Sequence, residues 1–266
     1  MRPTVHQYII LLLAALLTAG LVLGRGSLAS VAFIGVAVVA AALLDTFLGY
    51  VRFRRCSVPY DGVITALILS AIVSFASWPE AVALVALAIM LKYVIRLNGR
   101  NVFNPAALAL VVAAPFALNE SWWAATMLAF LGVFLAYKVR RLALSLSFLV
   151  VYVGLNAILL VVFRQAQTLA IGALVTLPAF FAFFMLTEPV TSPHRRQIAY
   201  GVFAAVFAFA GGFFFSHALV ASLLAVDALW LLELAKKRTR ARMSVDAKAS
   251  AANGTVGRTA VNVFAK

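Results

Sequence analysis

Long apolar stretches separated by short polar breaks run along most of the chain. They occupy about 8–24, 28–48, 61–77, 80–97, 104–118, 122–138, 142–163, 168–187, 197–215 and 217–235. A helix needs about 20 apolar residues to cross a hydrocarbon layer about 30 Å thick. The pattern therefore predicts an all-α polytopic membrane protein of about ten transmembrane helices, filling residues 1–235 and leaving only short loops. The ten runs divide into two fives, about 1–118 and 122–235, around Asn119 to Ser121. An odd number of spans per half gives the halves opposite topology, so two inverted five-helix repeats are expected. In such folds sites form where short or broken helices meet near the middle. The third and fifth runs are short and open on polar or proline-containing segments.

Composition narrows the function. Of 266 residues, 65% are hydrophobic and 11% charged, so no room remains for a separate catalytic domain, and no Gly-rich nucleotide loop is present. Cys56 is the single cysteine, which excludes an intramolecular disulfide, a cysteine-held cluster and a C-x-x-C-H haem attachment. His6, His194 and His217 are the three histidines, and all fall at expected helix ends rather than facing one another within the membrane. No metal-binding set is expected.

The net charge of +14 would suggest nucleic acid in a soluble protein, but here placement matters more than the sum. With alternating spans, 20 of the 22 basic residues fall on one side, and only Arg25 and Arg164 fall on the other. Lys and Arg in short loops stay cytoplasmic, so both termini are expected in the cytoplasm, with lipid rather than nucleic acid as the neighbour. Tyr8, Tyr50, Tyr60, Tyr93, Tyr137 and Tyr200 fall near the basic side, while Trp78, Trp122 and Trp123 fall near the other. The first run has Arg2 before it and small residues after it, as a signal peptide would, but its removal would leave the next basic loop following an unpaired span. Residues 236–266 are basic and then rich in Ala, Ser, Gly and Asn, as expected of a disordered cytoplasmic tail anchored to anionic lipid.

Three polar segments interrupt the apolar pattern, all at the cytoplasmic edge. Pro59 to Leu67 leads into the third span. Asp61 there reads either as a first-turn acid favoured by the helix dipole or, with Thr65 one turn later on the same face, as a contact for an ion or polar ligand. Asn98 to Ala107 contains Asn104-Pro105, a helix start signal, yet its three asparagines, Asn98, Asn101 and Asn104, exceed what one cap needs. The free N–H groups of that helix start could also hold an anionic or carbonyl-bearing ligand. Phe183 to Arg196 carries Thr187, Glu188, Thr191, Ser192, His194, Arg195 and Arg196. Ser192-Pro193 can start the ninth span, and Glu188 needs a partner at the membrane edge, either Arg195 or Arg196 or a ligand. Asp45 and Asp227 lie inside apolar runs and are candidates for an ion pathway, with Asp227 the deeper of the two.

The pairing of Phe103-Asn104-Pro105-Ala106-Ala107 with Phe184-Met185-Leu186-Thr187-Glu188-Pro189-Val190-Thr191-Ser192-Pro193 resembles a specific family. It is similar to the RnfD/NqrB family, membrane components of Rnf-type electron transport complexes and of sodium-pumping NADH:quinone reductases. Asp61-Gly62-Val63-Ile64-Thr65 also fits that family's start of the third span. The resemblance covers about 50–215 and implies ten helices in two inverted halves, an architecture like that of urea and ammonium channels. It also implies partner membrane subunits, a bacterial inner-membrane location, and a complex that couples electron transfer to ion movement.

Members of that family carry flavin, typically FMN attached to the threonine of a Ser-Gly-Ala-Thr motif. This chain contains no Ser-Gly, and Gly172-Ala173-Leu174-Val175-Thr176 has the wrong spacing. FMN or riboflavin would therefore be held noncovalently, if at all. The expected cofactor constellation is Asp61, Thr65, Asn101, Asn104, Thr187, Glu188, Thr191 and Ser192, with Arg195 and Arg196 for a phosphate. Two rivals remain: a channel or transporter for a small solute without redox chemistry, and a flavin-free scaffold subunit.

Overall fold

The computed structural model describes residues 4–23, 27–54, 58–97, 100–113, 131–163, 178–187, 196–214, 217–236, 239 and 243. Its helices are α1 (Val5–Val22), α2 (Leu28–Phe53), α3 (Tyr60–Ile72), α4 (Trp78–Val94), α5 (Pro105–Ala113), α6 (Leu131–Lys138), α7 (Leu142–Phe163), α8 (Gln197–Gly211) and α9 (Ala218–Lys236). A π-helical segment covers Phe181–Met185. Contacts divide the chain after Asp227, and the described part of the second unit is the end of α9 with Thr239 and Met243.

Among the described residues four helices are long and apolar enough to cross a membrane: α1, α2, α7 over Leu142–Val161, and α9. In none of them is more than 33% of the spanning window buried, so their apolar residues point largely outward. Leu11, Leu43, Val150 and Val161 are 66–76% exposed, while Asp45, Lys92 and Arg141 are buried. Water would favour the reverse; a lipid solvent favours this arrangement. Each remaining described helix begins or lies within an expected apolar run but is shorter than about 20 residues.

Local sequence explains where the helices begin and stop. Thr4 and Gln7 form a reciprocal capping box at α1, and Ser27 and Ser30 do so at α2. α3 ends where Val73 turns extended, and α4 restarts at Trp78-Pro79-Glu80, with Glu80 Oε2 accepting the Ala76 N–H at 2.7 Å. One short extended pairing interrupts the helices. Arg96–Leu97 (β1) and Arg100–Asn101 (β2) run antiparallel, Arg96 opposite Asn101 and Leu97 opposite Arg100. The residues between them in sequence, Asn98-Gly99, are the pair that tight hairpins favour.

Within the first half α1 packs on α3, and α2 packs on both α3 and α4. The same order recurs later: α6 and α7 pack on the Phe181–Met185 segment, and α7 packs on α8. Glycine marks three of these approaches. A side chain at Gly62 would meet Asp45 Cβ at 2.8 Å and the Ala41 carbonyl at 3.0 Å; one at Gly132 would meet Phe183, and one at Gly201 would meet Ser147, more closely still. Small residues let helix backbones approach where lipid offers no hydrophobic drive between helices.

Candidate functional site

The starts of α1, α3 and α5 come together with the end of the Phe181–Met185 segment around a cavity of about 40 Å³. Five residues singled out from the sequence line it: Asp61 and Thr65 on α3, Asn101 on β2, Asn104 before α5, and Thr187. His6, Phe184 and Leu135 complete much of the wall. All three polar segments thus reach one point.

Helix-start chemistry sets these side chains. Asn104 Oδ1 accepts the Ala107 N–H at 3.0 Å, the N-cap bond expected before Pro105. The Asn104 peptide N–H donates to Asp227 Oδ2 at 3.1 Å, and Asp227 is 1% exposed. Asp227 therefore helps to fix the start of α5. The Thr65 hydroxyl donates to the Asp61 carbonyl at 2.8 Å, and the Thr187 hydroxyl to the Phe183 carbonyl at 2.6 Å. Asn101 Oδ1 is buried and has no hydrogen-bond partner among the described residues.

Beside this cavity lies an open groove of about 730 Å³, walled by Phe53, Tyr60, Tyr93, Arg96, Asp45 and Lys92 and sharing His6 and Asp61 with the cavity. Lys92 Nζ is 2.8 Å from Asp45 Oδ1 and 3.4 Å from Asp61 Oδ2. The Tyr93 hydroxyl donates toward Asp45 Oδ1 at 2.9 Å, and the Gly62 N–H donates to Asp45 Oδ2 at 3.1 Å. His6 Nε2 lies 3.5 Å from Asp61 Oδ1, and its ring stacks on Tyr60. The Arg96 guanidinium sits 5.0 Å from the Phe53 ring centre and 5.5 Å from that of Tyr93, with its buried Nε–H unpartnered among the described residues. Arg52 donates to the Tyr93 carbonyl.

Asp45 belongs to this groove rather than to the small cavity. Arg196 is exposed, adopts a left-handed backbone (φ 55°) before α8, and lines neither hollow. Glu188, Thr191, Ser192 and Arg195 lie outside the described residues. In the sequence Lys92 marks only a positive charge on the cytoplasmic side; the structure buries it between two carboxylates. The signal that could have found it is a lysine inside the apolar run 80–97, the same kind of signal that marks Asp45. His6, Tyr93 and Arg96 carry no such mark.

The two hollows differ in what they can take. About 40 Å³ admits a few waters or a small ion, since one water needs roughly 10–15 Å³. The groove falls within the ligand range of about 300–1,000 Å³ and offers aromatic faces beside the Arg96 guanidinium. Among the described residues no group of three or more histidine, cysteine or acidic side chains is arranged to hold a metal. Compared with known proteins, the sequence matches no family model and no curated protein.

Proposed function

We propose that this chain is an integral membrane subunit of a redox-driven, ion-translocating electron transport complex, seated in a bacterial cytoplasmic membrane with both termini in the cytoplasm. The observation that carries this reading is the meeting of the Asn104 and Thr187 segments, remote in sequence, at one cavity beside Asp61 and Thr65. These are the segments on which the family resemblance rests. The recurring packing order of the two halves also supports the inverted-repeat architecture.

A noncovalent flavin, FMN or riboflavin, would take the ligand-sized open groove rather than the small cavity beside it. Phe53, Tyr60 and Tyr93 would face its ring system, and the Arg96 guanidinium would hold an anionic group. When bound, a flavin supplies one- and two-electron transfer. The protein's own contribution is an aromatic wall, the Arg96 guanidinium and two carboxylates that share Lys92. Other membrane subunits would supply donor and acceptor.

The experiment is an absorption spectrum of the detergent-purified chain, repeated on pellet and supernatant after acid precipitation. Flavin bands that move to the supernatant support the reading. A second reading, a conduit for a small solute, draws on the cavity's size, and a colourless protein that passes solute across liposomes would favour it.

A further inference from the structure

α2 is longer than a membrane needs. Its 26 residues rise about 39 Å at about 1.5 Å each, against a hydrocarbon layer of about 30 Å, and its basic residues fall at the C-terminal end. The last turn therefore stands among the lipid headgroups, where it carries Arg52 and Arg54, both exposed.

An apolar stripe leads to these arginines. Leu43, Phe47, Tyr50 and Val51 recur at helical spacing on one face of α2 and are 47–66% exposed, and Arg54 follows at the same spacing. From Leu43 to Arg54 the helix rises about 16 Å, roughly half the hydrocarbon layer and so the depth of one leaflet. A phospholipid has the matching layout, an acyl chain one leaflet deep that ends in a phosphate.

Both guanidinium groups are held in place without being neutralised. Arg52 donates to the Tyr93 carbonyl and lies 6.0 Å from the Phe53 ring centre, and Arg54 lies 5.9 Å from that of Tyr50. The Arg54 N–H donates to the Tyr50 carbonyl at 2.8 Å, which closes α2 with Arg54 in a left-handed conformation (φ 54°). Among the described residues neither side chain pairs with a carboxylate, and Asp45 and Asp61 of the neighbouring groove share Lys92. The Arg96 guanidinium lies 5.0 Å from the same Phe53 ring, so this corner sets four cations against two carboxylates. The free carbonyls at the end of α2 amount to roughly half a negative charge, which the two arginines beside them outweigh.

We propose that the end of α2 binds one anionic phospholipid of the surrounding membrane, Arg52 and Arg54 holding its phosphate and an acyl chain lying along Leu43, Phe47, Tyr50 and Val51. Two uncompensated cations favour a headgroup of net negative charge over a zwitterionic one. A soluble phosphate would leave the stripe unused. The inference goes beyond the redox reading and rests only on α2 lying in a membrane; Arg52 and Arg54 line neither hollow.

The test follows thermal unfolding of the full chain in dodecyl maltoside against rising dioleoylphosphatidylglycerol, with dioleoylphosphatidylcholine and sodium glycerol phosphate as separate arms. The site predicts a saturable rise in melting temperature with phosphatidylglycerol that neither other addition gives. Arg52→Gln/Arg54→Asn should raise the lipid needed for half of that rise at least about fivefold, asparagine being chosen because it tolerates the left-handed backbone. Lys138→Gln/Arg140→Asn removes the same charge from another exposed turn, where Arg140 is also left-handed (φ 58°), and should change it less than about twofold. Equal rises with the two lipids overturn the site. So does an equal loss in the two double variants, which would make the attraction diffuse. A rise with glycerol phosphate that matches phosphatidylglycerol overturns the lipid as occupant. If the α2 variant does not fold, native mass spectrometry of the parent in an equimolar mixture of the two lipids decides: retention of phosphatidylglycerol over phosphatidylcholine supports the site, and no preference overturns it.

Discussion

Lys92 Nζ stands 2.8 Å from Asp45 Oδ1, and the two side chains are 5% and 6% exposed. The contact joins the basic end of α4 to α2 through a pair of opposite charges taken out of solvent. Removing one partner of such a pair leaves an unpaired buried charge and destabilises by about 3–5 kcal/mol, whereas removing both is far less harmful. Lys92→Met and Asp45→Asn should each lower the unfolding midpoint in denaturant, and the double variant should recover most of the loss. Strict additivity in that cycle would show that the pair is not energetically coupled.

Gly62 tests the same corner from the backbone side. A methyl group there meets Asp45 Cβ at 2.8 Å and the Ala41 carbonyl at 3.0 Å, and neither belongs to a side-chain end that can swing away. Gly62→Ala should separate α2 from α3, loosen the Gly62 N–H bond to Asp45 and lower stability by about 1–3 kcal/mol. Unchanged thermal stability would mean that these helices pack less closely.

Asp227 separates a charge role from a hydrogen-bonding role. Asp227→Asn keeps a side-chain carbonyl able to accept the Asn104 N–H, while Asp227→Ala strands that donor at a cost of about 1–3 kcal/mol. The Asn variant should therefore assemble normally, and any defect in ion movement would then belong to the lost charge. Equal ion movement in Asn variant and parent would remove Asp227 from the pathway and leave it a structural acceptor.

Topology can be read with impermeant thiol reagents on intact cells. The native Cys56 should be shielded and should react only after the membrane is opened, whereas Ser27→Cys in a Cys56→Ser background should react from outside. Labelling of both positions from one side would break the assignment of the basic loops to the cytoplasm.

The helical architecture is legible in the sequence because apolar length is a direct consequence of burial in lipid, and the polar breaks fall where α1, α2, α7 and α8 begin. The β1–β2 ladder is not, because two-residue strands leave no periodicity, although Asn98-Gly99 carries the hairpin signal. Asp61, Thr65, Asn101, Asn104 and Thr187 stand out because polar residues at the edge of apolar runs need a reason to be there. Pairing across space leaves no such trace. Nothing local says that Lys92 turns inward to Asp45, or that His6 closes over Asp61. The division into a small cavity and a ligand-sized groove also depends on helix approach, and so appears only in the folded chain.

The most direct measurement of the redox role is the absorption spectrum of the purified protein before and after acid precipitation. The proposed function expects flavin bands that pass into the supernatant, with Arg96 and the aromatic groove holding the molecule without a covalent link. A colourless preparation that carries a small solute across liposomes would contradict the redox role.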